Sequence, residues 1–235
     1  MKVTMAVSGR LVVKICGMRS AESALAAARA GADLLGFNFA PVSKRRVEVT
    51  VAREAIASVR EVATPAMVGV FVDQALTEIA EVARTCRLDA VQLSGAESVA
   101  ACREMAAETG LPVFKAVRLA GPQALDEAAR YAGAGGVAAL LVDAPVAGAW
   151  GGTGQIWDWG RAAPLARRFP VLLAGGLQPD NVAAAVAAVN PWGVDVASGV
   201  ETAGQTDPAR VVDFIAGARA APVREQCGHQ LTEER

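Results

Sequence analysis

Histidine is almost missing from these 235 residues: the only one is His229, in a polar stretch near the C-terminus. Four cysteines, Cys16, Cys86, Cys102 and Cys227, form no CxxC pair. A structural zinc site therefore has no ligand set. A nucleophile activated by a neighbouring histidine also has no partner, which weighs against a hydrolase. Aromatic residues make up only 5% of the chain. No apolar run approaches the roughly 18 residues of a membrane span, and the start, "MKVTMAVSGR", lacks the core of a secretory signal. A net charge of −1 leaves neither a basic footprint for nucleic acid nor a patch for a membrane surface. Together these absences point to a cytoplasmic protein whose cysteines are thiols.

What is present is an alternation. Short apolar runs, "RLVVKIC" (10–16), "LLGFNF" (34–39), "AMVGVFVD" (66–73), "DAVQLS" (89–94), "PVFKAV" (112–117), "AALLVD" (138–143), "VLLAGG" (171–176) and "GVDVAS" (193–198), read as strands. Between them lie Ala-rich segments such as "SAESALAAARAGA" and "LTEIAEVARTC", with apolar residues three and four apart. Ser20 with Ser23 marks a helix start, and Pro179-Asp180 is expected to open the seventh helix. Continuous apolar strands are those of a parallel sheet buried on both faces. Eight such units at this length predict an α/β fold of one domain, a (β/α)8 TIM barrel. An open doubly wound sheet ranks lower, because no GxGxxG follows the first strand. The barrel is expected over residues 11–221, with an N-terminal extension over 1–10 and a polar tail over 222–235.

In such a barrel, chemistry gathers at the C-terminal ends of the strands. "VVKICGMRS" places Lys14 and Cys16 in an apolar strand and stops at Gly17. The loop after strand two carries Lys44, Arg45 and Arg46; strand three ends in Asp73, strand four in Gln92 and Ser94, strand five in Lys115 and Arg118, strand six in Asp143. Each has a plain structural reading. A lone strand cysteine is more often a small buried hydrophobe, Asp73 is best taken as a helix N-cap, and the arginines suit a solvated loop. Asp143 resists that reading, since no helix follows directly for it to cap. "AGGLQPDNV" and "ASGVET" fall where barrels often hold phosphate on backbone N–H groups. "APVAGAWGGTGQIWDW" (144–159) is long enough to fold over a ligand. One thiol and one carboxyl in a pocket with a phosphate end suggest acid–base chemistry.

"VKICGMRS", "GADLLGFNFAPVSKR", "VGVFV", "AVQLSG", "LLVDAPVAGAWGGTGQIWDW", "LLAGGLQPDNV" and "GVDVASGVET" follow one another in the order of the phosphoribosylanthranilate isomerases, a family that residues 11–217 resemble. The resemblance implies a (β/α)8 barrel of tryptophan biosynthesis. Its reaction would be the Amadori rearrangement of N-(5-phosphoribosyl)anthranilate to 1-(2-carboxyphenylamino)-1-deoxyribulose 5-phosphate, with neither metal nor organic cofactor. It places the general base on Cys16 and the general acid on Asp143. It puts an anthranilate-carboxylate contact on Arg45 and a position near substrate on Asp195. Phosphate contacts fall on the loops of Gly175, Gly176, Ser198 and Gly199, with Gly154 in the closing loop. It implies a small phosphoribosyl partner, no nucleic acid or membrane, and a monomer or homodimer. The sequence departs from the family pattern at Ser94, where histidine is usual, and at Ala197, where serine is frequent.

Three other readings compete. The two-aspartate isomerase of histidine biosynthesis would end its first strand in Asp rather than Cys16. An aldolase would need a Schiff-base lysine, for which Lys115 is the candidate. A diverged phosphosugar binder would keep the barrel without the reaction.

Overall fold

In the computed structural model, residues 10–121, 123–144 and 157–221 are described. The expected N-terminal extension up to residue 9, the closing loop with Gly154 and the tail from residue 222 lie outside them.

The order of elements is β1 (Val12–Cys16), α1 (Ala21–Arg29), β2 (Leu34–Asn38), α2 (Val49–Arg60), β3 (Ala66–Phe71), α3 (Leu76–Thr85), β4 (Ala90–Leu93), α4 (Val99–Thr109), β5 (Val113–Arg118), α5 (Ala124–Gly133) and β6 (Ala139–Asp143). A 3₁₀ turn (Trp159–Ala162) leads into the short α6 (Ala163–Ala166). Then follow β7 (Val171–Leu173), α7 (Val182–Val189), β8 (Gly193–Val196), a two-strand hairpin, β9 (Glu201–Thr202) with β10 (Gln205–Thr206), and α8 (Pro208–Ala220). Strands β1 to β8 are parallel and close into a barrel through the β8–β1 pair, as expected from the sequence.

Alternation along each strand divides two cores. Outward residues such as Val13, Ile15, Leu35 and Phe37 pack under the helices. Inward residues, among them Val12, Leu34, Val68, Phe114, Leu141 and Leu172, fill the barrel. Each fully buried Val or Leu contributes about 1.5–3 kcal/mol, so the two layers dominate the stability of the frame.

Local signals held in places and failed in others. Ser20 and Ser23 form a reciprocal capping box at α1. Pro179-Asp180 does not open α7, which starts at Val182 after Asn181. There the Asn181 side chain accepts from Gln178 N–H and donates to the Gly176 carbonyl, holding a turn before the helix. Asp73 is not an N-cap either: α3 is preceded by Ala75, with no side-chain cap. Asp73 has φ of 51° and accepts a hydrogen bond from Ala96 N–H in the next βα loop.

Candidate active site

Parity within a strand decides which polar groups reach the barrel mouth. On β1, Val12, Lys14 and Cys16 share the inward face. Cys16 pairs in register with Gly36 on β2, and Lys14 pairs with Asp195 on β8. On β5 Phe114 points inward, so Lys115 points outward to the helices. Its Nζ donates to Glu97 Oε2 at 2.8 Å and to the Gly95 carbonyl at 2.7 Å, and lies over the Tyr131 ring. The candidate Schiff-base lysine is therefore a buried structural cation behind the barrel wall.

A cavity of about 400 Å³ opens at the C-terminal ends of the strands, a size typical of small-ligand sites. It is lined by Cys16, Arg45, Asp143, Gly175, Gly176, Asp195, Ser198 and Gly199. All the expected site residues among those described thus meet in one place, and Gly154 lies outside the described residues. Asn38, Gln92, Ser94, Arg118 and Ala197 complete much of the wall. Ser94 Oγ accepts from Gln92 Nε2 at 3.1 Å, so the hydroxyl occupies the strand-four wall as part of a local polar pair.

The thiol sits at the floor on β1 and is partly exposed to the cavity. Gly17 follows it with φ of 93°, and a Cβ there would lie 2.6 Å from Arg45 Cδ. The glycine that ends β1 thereby lets the Arg45 side chain lie across the strand end. Arg45 is clamped by Glu201: Nε and Nη2 each donate to one carboxylate oxygen at 2.7 Å. This fork-to-fork geometry is the strong form of such a pair, and the Glu201 bond and charge hold the Arg45 pKa above its ordinary value against the opposing pull of burial.

Lys14 is fully buried, and its Nζ donates to Asp195 Oδ1 at 2.7 Å. Burial works against its ammonium, but the Asp195 and Cys16 charges outweigh that and raise its pKa. Burial pushes the Cys16 thiol up as well, while Lys14 pulls it down and Asp195 pushes it up again. Across the mouth, on β6, burial holds the Asp143 carboxyl above the ordinary range; the Ala144 N–H bond opposes this and the Asp195 charge adds to it. The site thus contains a carboxyl biased toward its protonated form and a thiol that burial holds above its ordinary pKa against the pull of Lys14.

The two loops expected to hold phosphate, after β7 and β8, line the cavity with glycines. Gly175 and Gly176 have φ of 85° and 69°. A Cβ on Gly175 would approach Ala144 N at 2.6 Å, and one on Gly199 would strike the Leu177 carbonyl oxygen at 1.8 Å. Only glycine fits either place. Trp157 and Trp159 donate their indole N–H groups to the carbonyls of Ala174 and Gly175, and Arg210 grips the Gly199 carbonyl. These bonds tie the loop carbonyls to side chains behind them.

Sequence reasoning missed the Lys14–Asp195 pair and the Glu201 clamp. The first had a signal. A lysine two residues before Cys16 on a strand buried on both faces shares its inward face and requires an opposite charge nearby. Asp195, the one charge in "GVDVAS", is that partner. The second had none, since Glu201 is separated from Arg45 by 156 residues.

Residues 13–216 match the family model described as N-(5'phosphoribosyl)anthranilate (PRA) isomerase. The N-(5'-phosphoribosyl)anthranilate isomerase of Roseiflexus sp. (strain RS-1) is 46% identical over 214 residues, covering 89% of this chain and 98% of that protein. The crystal structure of phosphoribosyl anthranilate isomerase from Thermotoga maritima superposes with a TM-score of 0.80 at 35% identity, covering 89% of this chain and 99% of that one. Another solved isomerase, in complex with reduced 1-(o-carboxyphenylamino)-1-deoxyribulose 5-phosphate, has a TM-score of 0.77 at 35% identity with the same coverage. With that agreement in sequence and fold, this chain belongs to the N-(5'-phosphoribosyl)anthranilate isomerase family.

Proposed function

We propose that Cys16 and Asp143 are the general base and general acid of the Amadori rearrangement in this barrel. Family membership makes the chain an intramolecular isomerase of tryptophan biosynthesis. The roles of individual side chains are inferred from one observation above all: the thiol and the carboxyl line the same cavity from β1 and β6, and the second is biased toward its acid form.

In this reading Asp143 gives its proton to the furanose ring oxygen, and the C1′–O bond breaks to leave a protonated Schiff base. The Cys16 thiolate then takes the proton from C2′. The electron pair of that C–H bond forms the enolamine double bond, and the iminium nitrogen is neutralised. Tautomerisation of the enolamine gives the ketone. Each proton transfer is of a kind worth about 10²–10⁴ in rate. The Gly175–Gly176 and Ser198–Gly199 loops hold the phosphate. Arg45, oriented by Glu201, receives the anthranilate carboxylate, and Asp195 lies beside the sugar. Gripping both ends fixes the sugar between acid and base, which removes much of the entropic barrier.

The partner is a small phosphoribosyl compound, and the reaction calls for neither nucleic acid nor a membrane surface. Among the described residues no helix is long and apolar enough to cross a membrane. The reading places the protein in the cytoplasm as a monomer or homodimer, with the barrel over 11–221 as its catalytic unit.

The test is turnover. Purified protein should quench anthranilate fluorescence when it is given phosphoribosylanthranilate generated in situ, and Asp143→Asn should not. Unchanged turnover in Asp143→Asn would move the acid elsewhere.

A further inference from the structure

A lysine side chain inside a barrel core needs a reason. Apolar residues of similar volume usually fill such a place at equal or lower cost, because the desolvation of a buried ion pair tends to cancel its attraction. Lys14 and Asp195 nevertheless face each other at the cavity floor, in register on β1 and β8. The ammonium is fully buried, whereas Asp195 lines the cavity. Their placement against the thiol is tight. A methyl built on Gly36 would lie 2.6 Å from Cys16 Sγ and 3.1 Å from Lys14 Nζ, so sulfur and ammonium flank one point.

We propose that Lys14 is the counter-cation of the Cys16 thiolate, and that Asp195 keeps Lys14 charged and aimed between its own carboxylate and the sulfur. Lys14 is a positioning residue: it touches the base, not the substrate. The inference rests on the reading of Cys16 as base. An ammonium has three donors; one is taken by Asp195, and beside Gly36 on β2 the sulfur is the neighbour that another can address. Before reaction the thiolate and Asp195 share the Lys14 charge. After the thiolate has accepted the C2′ proton, Lys14 remains balanced by Asp195. The buried cation is therefore never left without a counter-charge through the cycle. The other charges around the sulfur are Arg45, from the loop after β2 with Glu201 behind it, and Asp143 across the mouth on β6. Lys14 alone among these is sealed below the thiol and beyond the reach of solvent. Its effect should therefore resist screening by salt.

The experiment reads the thiol directly. Alkylation of Cys16 by iodoacetamide is followed by peptide mass spectrometry across the neutral to alkaline range in the wild type, Lys14→Met and Lys14→Met/Asp195→Asn. The double variant leaves no carboxylate buried alone and guards against a single variant that fails to fold. The midpoint of alkylation should rise by about one pH unit or more in Lys14→Met, about a tenfold loss of thiolate at any pH below both midpoints. A smaller rise should remain in the double variant, because the Asp195 repulsion goes with the Lys14 attraction. Turnover should fall in proportion at neutral pH and recover at alkaline pH. Binding of reduced 1-(o-carboxyphenylamino)-1-deoxyribulose 5-phosphate should stay close to wild type in Lys14→Met, since Lys14 lies outside the cavity lining. A purely structural lysine would weaken binding and leave the midpoint in place, and an unmoved or lowered midpoint in both variants overturns the proposal. Cys16→Ala run in parallel separates the two ideas: its full activity would overturn the base assignment and the Lys14 role together. An inactive Cys16→Ala with an unmoved midpoint removes Lys14 alone.

Discussion

Replacing Gly36 by alanine puts one methyl group into the narrowest part of the site. That Cβ would lie 2.6 Å from Cys16 Sγ, 3.1 Å from Cys16 Cα and 3.1 Å from Lys14 Nζ. Ordinary contacts begin near 3.5 Å, so the sulfur must retreat by about 1 Å. The backbone has little freedom to help. Gly17 and Met18 both donate to the Gly36 carbonyl at 2.9 Å, which pins β1 against β2 at this point. Overpacking of this kind costs about 1–3 kcal/mol. For a chain of this size that lowers Tm by roughly 2–12 °C. A misplacement of about 1 Å in a reacting group costs on the order of 10² in rate, so kcat/KM should fall about a hundredfold in Gly36→Ala. The control is Gly133→Ala at the end of α5, where an added Cβ meets nothing within 4 Å. It should leave turnover alone and change stability by at most about 1 kcal/mol, in the favourable direction. Fluorescence turnover and thermal melts on both variants give the answer. If Gly36→Ala keeps wild-type kcat/KM and Tm, the sulfur does not sit where the site requires it.

Three further outcomes are expected. Glu201→Gln should release Arg45 and raise KM about tenfold, equivalent to about 1.4 kcal/mol, with a smaller change in kcat; an unaltered KM in steady-state assays would remove Glu201 from substrate binding. Because burial raises the Asp143 pKa, the native state binds that proton more tightly than the unfolded chain does. Stability should fall as pH rises from the ordinary carboxyl value near 3.9 through the raised native value, then stay lowered. Melts of Asp143→Asn against wild type should show the variant gaining relative Tm across that window, and the opposite trend would contradict the burial. Lys115→Met leaves Glu97 buried without its cation, which costs about 3–5 kcal/mol and roughly 6–20 °C in Tm. Turnover of the folded variant should persist, whereas loss of all activity would revive a catalytic lysine.

The barrel was legible because each strand is buried on both faces and therefore written as a continuous apolar run. Helix starts were legible only where the signal was local. Ser20 and Ser23 cap one another across three residues, whereas Pro179-Asp180 makes a turn whose hydrogen bonds run back to Gly176. Asp73 escaped because its partner lies in the loop after β4. Cys16 and Asp143 could be singled out at strand ends, since each breaks an apolar run with a group able to exchange a proton. Lys115 was misplaced through a matter of parity. It stands three residues before Arg118, which lines the cavity, so the two side chains leave β5 on opposite faces. The Arg45–Glu201 clamp joins two ends of the chain that only barrel closure brings together.

The most direct measurement compares binding with chemistry in Cys16→Ala. Calorimetric titration with reduced 1-(o-carboxyphenylamino)-1-deoxyribulose 5-phosphate reports whether the cavity is intact, and anthranilate fluorescence reports turnover. Removing only the base should leave Kd near wild type and lower kcat by about 10²–10⁴. Wild-type kcat in Cys16→Ala would show that the proton at C2′ is taken by another group.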